Sequence, residues 1–214
     1  MWSEKIANKL SASLELDNEK REIIAYGAFA FIHVVISLLL VSLIGWVLGI
    51  LLESLIVSFS ASILRQYSGG VHASKPSICL FVGTFATITI AIFSSLLAKT
   101  VDWKVLSLVF IVLYALSFLV IVKKAPVDTV AKPIKTIKKR KRMKRNSIII
   151  SLLYLVISVI TIISYLQSGE LKLLSFSACI IGALTWQAFT LTKIGHTVLN
   201  KLDSFINTHI GKEK

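Results

Sequence analysis

Cysteine, proline and acidic side chains are all scarce in this sequence, and each shortage narrows what the chain can be. Two cysteines, Cys79 and Cys179, are too few for the disulfide framework of a small secreted domain. They are expected to be free thiols, with one bridge between them as the alternative. Four histidines and two cysteines, widely scattered, offer no ligand spacing, so no metal or other cofactor is expected. Eleven Asp and Glu stand against 24 Lys and Arg, a net charge of +13. No cleavable leader is expected at the N-terminus: residues 1–22 alternate charges and hold no short apolar core before a small-residue cleavage site. The first spanning helix is expected to act as an uncleaved insertion signal. At 214 residues the chain is too short for a membrane bundle plus a separate soluble domain, so one domain over 1–214 is expected.

What the chain has is long apolar runs. It is 55% hydrophobic with a mean hydropathy of +0.79. A helix needs about 20 apolar residues to cross the hydrocarbon core. Residues 23–64 carry one charge, Glu53, and are about twice that length. They are read as two helices, 24–44 and 47–64, turning near Gly45 and Gly49. Further spans are expected over 78–98, 105–122, 147–166 and 171–192. The expected fold is an all-α polytopic membrane bundle of about six transmembrane helices. Trp2, Ile6, Leu10 and Leu14 fall near helical spacing, so the N-terminus is read either as an interfacial helix or as a frayed polar end.

Lys and Arg placement orients the bundle. With the N-terminus inside, the cytoplasmic segments are 1–22, 65–77, 123–146 and a polar tail, 193–214. Only Lys99, Lys104 and Lys172 then lie outside. The expected location is the cell membrane, multi-pass, with both termini cytoplasmic.

Chemistry concentrates in residues 65–83, RQYSGGVHASKPSICLFVG, at the cytoplasmic boundary before the third span. A cysteine thiolate is a nucleophile, and a neighbouring imidazole can take its proton and return it to a leaving amine. On one continuous helix His72 and Cys79 would be about 10 Å apart along the axis, too far for a hydrogen bond. A dyad therefore requires a break between them, and Pro76 supplies one. Ser74 or Lys75 then caps the third span, with Cys79 near its N-terminal end, where the helix dipole favours negative charge. Gly69 and Gly70 let the preceding chain turn back. The blander reading makes Cys79 a packing residue and His72 an interfacial polar one. Cys179, mid-span in Ser177-Ala178-Cys179-Ile180 with no such neighbours, is read as core. His33 is read as a contact between helices, and His196 and His209 as solvated.

Arg65, Gly70, His72 and Cys79, in a chain of this length and layout, resemble the AgrB family of quorum-sensing peptidases. So do Ala125-Pro126-Val127-Asp128 and Lys132-Pro133-Ile134 ahead of the basic loop. The resemblance implies a membrane cysteine endopeptidase that cuts the C-terminal part of an AgrD-like propeptide. An acyl-thioester forms on Cys79, and a substrate side chain then closes the ring of an autoinducing peptide. His72 would be general base and acid. Arg65 would position the catalytic segment or a substrate carboxylate. Ser68 and Gln66 are candidates for an oxyanion contact, and Asp128 for a third catalytic member if the basic loop folds back. The resemblance is also compatible with a homodimer.

Residues 123–146 hold eleven Lys and Arg against one acid, Asp128. Lys138, Lys139, Arg140, Lys141 and Arg142 are its densest part. They are expected to meet anionic lipids, an acidic substrate tail, or both. No nucleic-acid partner is expected, because aromatic interleaving and a recognised module are missing. A small transporter is the first rival reading, supported only by Glu53 and His33 within spans. The second is a non-catalytic membrane scaffold.

Overall fold

A computed structural model describes residues 2–13, 17–71, 74–128, 134 and 136–209. It divides into two units, residues 1–40 and 41–214. The first holds α1 (Trp2–Ser13) and most of α2 (Asn18–Val47). Asp17 caps α2: its carboxylate accepts the Lys20 N–H at 2.8 Å. Beyond the charged first turns α2 is apolar on all sides, with Ile23, Phe31 and Leu39 exposed, as expected of a helix solvated by lipid. His33 stacks on Phe29, its neighbour one turn away. The side chains of Trp2 and Ile6, and Leu14 altogether, lie outside the described residues.

The second unit contains the end of α2, α3 (Leu51–Ser68), α4 (Pro76–Thr100), α5 (Trp103–Lys124), α6 (Ile137–Ser168), α7 (Leu171–Thr190) and α8 (Lys193–His209). Helix α7 is the central post and packs against α3, α4, α5 and α6. Its sequence explains this position. Ser175, Ser177, Ala178, Ala183 and Ala188 are all buried, and small side chains let neighbouring backbones approach closely where lipid supplies no hydrophobic drive. Leu174, Ile181 and Leu184 fill the gaps between helices. Hydroxyls supply the cross-links: Tyr154 donates to the Ser60 carbonyl at 2.7 Å, and Ser177 to the Ser158 carbonyl at 3.1 Å.

The molecule is an all-helical, multi-pass membrane bundle, as expected. Among the described residues, five helices are long and apolar enough to cross a membrane: α2, α4, α5, α6 and α7. Helix α3 forms at the place expected for the second span but is less apolar. Glu53, Arg65 and its serines lower its hydropathy, and Glu53, Ser54, Ser58 and Ser60 are buried against the bundle. Its apolar outer stripe is Leu52, Phe59 and Ile63.

Two segments read as irregular are helical. The basic loop ends at Thr136, and residues 137–146 are the first turns of α6. Lys and Arg are good helix formers, and the Thr136 hydroxyl caps the helix by accepting the Lys139 N–H at 3.3 Å. The described part of the polar tail, residues 193–209, forms α8. Ile194, Val198, Leu202 and Phe205 lie along one exposed side of it, with Asp203 and Asn207 on another.

Candidate active site at the α3–α4 junction

Helix α3 ends at Ser68, and two glycines in left-handed backbone conformations follow, Gly69 at φ 71° and Gly70 at φ 128°. Neither position has room for a side chain. A Cβ on Gly69 would collide with the Val127 carbonyl, and one on Gly70 would lie 2.8 Å from Thr190 Oγ1. The glycine pair threads between the segment after α5 and the end of α7. Gly69 and Val127 form a parallel bridge, and the Val127 N–H donates to the Ser68 carbonyl at 2.9 Å.

A buried amide holds this crossing. Gln187, on α7 and 1% exposed, donates through Nε2 to Ser68 Oγ at 2.9 Å and to the Gly69 carbonyl at 2.7 Å. Arg65, one turn before the end of α3, donates through its guanidinium to the carbonyl of Val71. Val71 is buried and directly precedes His72. His72 lies outside the described residues, so the distance from its imidazole to Cys79 does.

The chain is described again from Ser74. Lys75 is extended, Pro76 occupies the first helical position, and α4 runs on from it. Cys79 is in the first turn, half-buried and free, and its N–H donates to the Lys75 carbonyl at 3.1 Å. The Arg65 guanidinium lies within electrostatic range of the Cys79 thiol. The structure thus brings Arg65, Gly70 and the Cys79 turn to one junction. Cys179 lies elsewhere, fully buried on α7 beside Val57, Ala91 and Ala183.

Other sequence-derived candidates have partners within the protein. Ser68 is fully buried, and its hydroxyl is occupied by Gln187. Asp128 pairs with Arg140 at 2.7 Å, and this hydrogen bond holds its carboxyl below the usual Asp range. Arg140 also donates to the Pro126 carbonyl at 3.5 Å. Arg140 therefore ties the start of α6 to the segment that bridges Gly69. Lys138, Lys139, Lys141, Arg142 and Arg145 line an open surface hollow of about 540 Å³ on α6. Lys132 and Pro133 lie outside the described residues.

Four positions at this junction escaped the sequence reading: Gln187 and Thr190 of α7, and Asp203 and Asn207 of α8, which hydrogen-bond Ser74. An uncharged amide within an apolar span was the available signal for Gln187, because a buried polar group there must find a partner.

Comparison with known proteins gives one answer. The family described as accessory gene regulator B matches residues 3–191. AgrB-like protein 2 of Clostridium perfringens (strain 13 / Type A) is 44% identical over 207 residues, covering 96% of each chain. An AgrB-like protein of Clostridium perfringens (strain SM101 / Type A) is 42% identical over the same coverage. No solved structure matches the chain significantly. A match over nearly the whole length, with relatives above 40% identity, places this membrane protein in the AgrB family, accessory gene regulator B, of quorum-sensing propeptide processing.

Proposed function

We propose that the chain is a membrane cysteine endopeptidase that cleaves an AgrD-like propeptide and promotes its cyclisation. The observation that carries this reading is the placement of Cys79. It sits half-buried in the first turn of α4, a few residues after the Gly69–Val71 crossing that Arg65 and Gln187 hold.

In this reading the Cys79 sulfur attacks the scissile carbonyl. A C–S bond forms, the C–N bond breaks, and the thiol proton passes through His72 to the leaving amine. A substrate thiol or hydroxyl then attacks the thioester carbonyl. The ring closes, and the proton of the attacking group returns to Cys79. Arg65 acts as a strut for the segment, since its guanidinium bonds the Val71 carbonyl. The exposed bases of α6 recruit the acidic tail of the propeptide and anionic lipid headgroups. The junction and both termini lie on the cytoplasmic side, as Lys and Arg placement requires. A second copy of the chain is compatible with this arrangement.

Co-expression with a propeptide that has an amphipathic leader, a central Cys or Ser and an acidic tail tests the reading. Cys79→Ala and His72→Ala should each abolish cleavage, while Cys179→Ala should retain it. Cleavage that persists in Cys79→Ala would exclude a catalytic cysteine and favour a scaffold.

A further inference from the structure

Helix α4 begins without a local side-chain cap: its N-cap residue is Lys75, whose side chain bonds no first-turn N–H. The anchor comes from the opposite end of the chain. Asp203 Oδ1, on α8, accepts both the N–H and the hydroxyl of Ser74, each at 3.1 Å. Asn207, one turn further along α8, donates through Nδ2 to the same hydroxyl at 2.6 Å. A serine hydroxyl has one proton to give and lone pairs to accept with, so Ser74 is satisfied on both sides. Ser74 lies just before the Lys75 carbonyl that receives the Cys79 N–H. The Asp203 charge also stands near the positive end of the α4 dipole, where a carboxylate is favoured.

We propose that Asp203 and Asn207 are positioning residues that clamp the start of α4 and so set where Cys79 meets the scissile carbonyl. The proposal rests on Cys79 being the nucleophile. The clamp supplies what α4 lacks locally, since Lys75 caps no first-turn N–H and nothing in Pro76 fixes where the helix begins relative to the rest of the bundle. Helix α8, read from sequence as a polar tail, becomes part of the catalytic apparatus.

The test is propeptide cleavage by the full-length chain in membranes, with kcat and KM measured separately. Asp203→Ala should lower kcat about ten- to a hundredfold, with KM moving less than about twofold, because misplacing a reacting group costs rate rather than binding. Asp203→Asn keeps an oxygen that accepts both Ser74 donors and should retain most of the parent kcat. Ser74→Ala, which keeps only the backbone bond, should fall between them. If Asp203→Ala fails to accumulate, the contrast between Ser74→Ala and Asp203→Asn decides. Parent kcat in Asp203→Ala and Ser74→Ala would overturn the clamp, as would equal losses in Asp203→Asn and Asp203→Ala. Either result, with His72→Ala and Cys79→Ala inactive, leaves the endopeptidase reading standing. Parent-level cleavage by Cys79→Ala removes that reading and the clamp with it.

Discussion

Gly70 combines a φ of 128° with a neighbour, Thr190 Oγ1, that a Cβ would meet at 2.8 Å. A side chain there is strained by backbone and by contact alike, at about 1–3 kcal/mol for the backbone alone. Gly70→Ala should therefore lower the unfolding temperature in detergent, and cleavage should fall with it because the glycine leads into the site. Gln187 is the complementary case. Gln187→Leu keeps the volume but leaves the buried Ser68 hydroxyl and Gly69 carbonyl without their donor, at about 1–3 kcal/mol for a buried polar group left unpaired. Thermal unfolding should register that loss, and Gln187→Glu should recover only part of it, since a carboxyl kept neutral by burial has one proton to donate where the amide gives two. The sequence showed Gly70 as a hinge residue, because only its own backbone was at issue. It could not show Gln187 as the hinge's latch, because that needs α7 to be placed beside the end of α3.

The start of α6 divides its bases between two tasks. Arg140 is committed to Asp128 and Pro126, whereas Lys138, Lys139, Lys141 and Arg142 line the open hollow. Neutralising those four should weaken processing most for precursors with strongly acidic tails and should reduce binding to anionic vesicles by about 1 kcal/mol per base. Equal processing across tail-charge variants would remove the recruitment role. Neutralising Arg140 should act differently, by loosening the Pro126–Asp128 segment whatever the tail charge. The Asp128 carboxyl is held below its ordinary value, so the folded state releases its proton more readily than the unfolded chain. Its stabilising contribution is present above the unfolded value of about 4 and is lost as pH falls through the depressed folded value. Asp128→Asn should flatten that part of the stability profile, with little difference from the parent at the acid end. Unfolding midpoints of the two proteins across pH 3–7 would check it. Composition marked these bases as a loop because charge dominates hydropathy, yet the Thr136 N-cap and the helix propensity of Lys and Arg extend α6 through them.

For the molecule as a whole, the Lys and Arg distribution predicts that the α4–α5 and α6–α7 connections face outward, with the α3–α4 junction, the start of α6 and α8 inward. Maleimide accessibility of single cysteines placed at Asp102, Gln167 and Lys201 should label the first two from outside and the third only after permeabilisation. Labelling of Lys201→Cys in intact cells would reverse the orientation and remove the cytoplasmic site. The apolar runs by themselves determined that this is a helical membrane bundle, because burying a backbone in lipid leaves helices as the economical solution. They also located the break at Pro76 and the Cys79 turn, since proline and glycine act on their own backbone wherever they stand. Tertiary structure alone decided that α7 is the central post, that α3 turns Ser54, Ser58, Ser60 and Glu53 inward, and that Gln187, Asp203 and Val127 converge on one junction. Those contacts join residues far apart in sequence, and a hydrogen bond between distant helices leaves no periodic trace in either one.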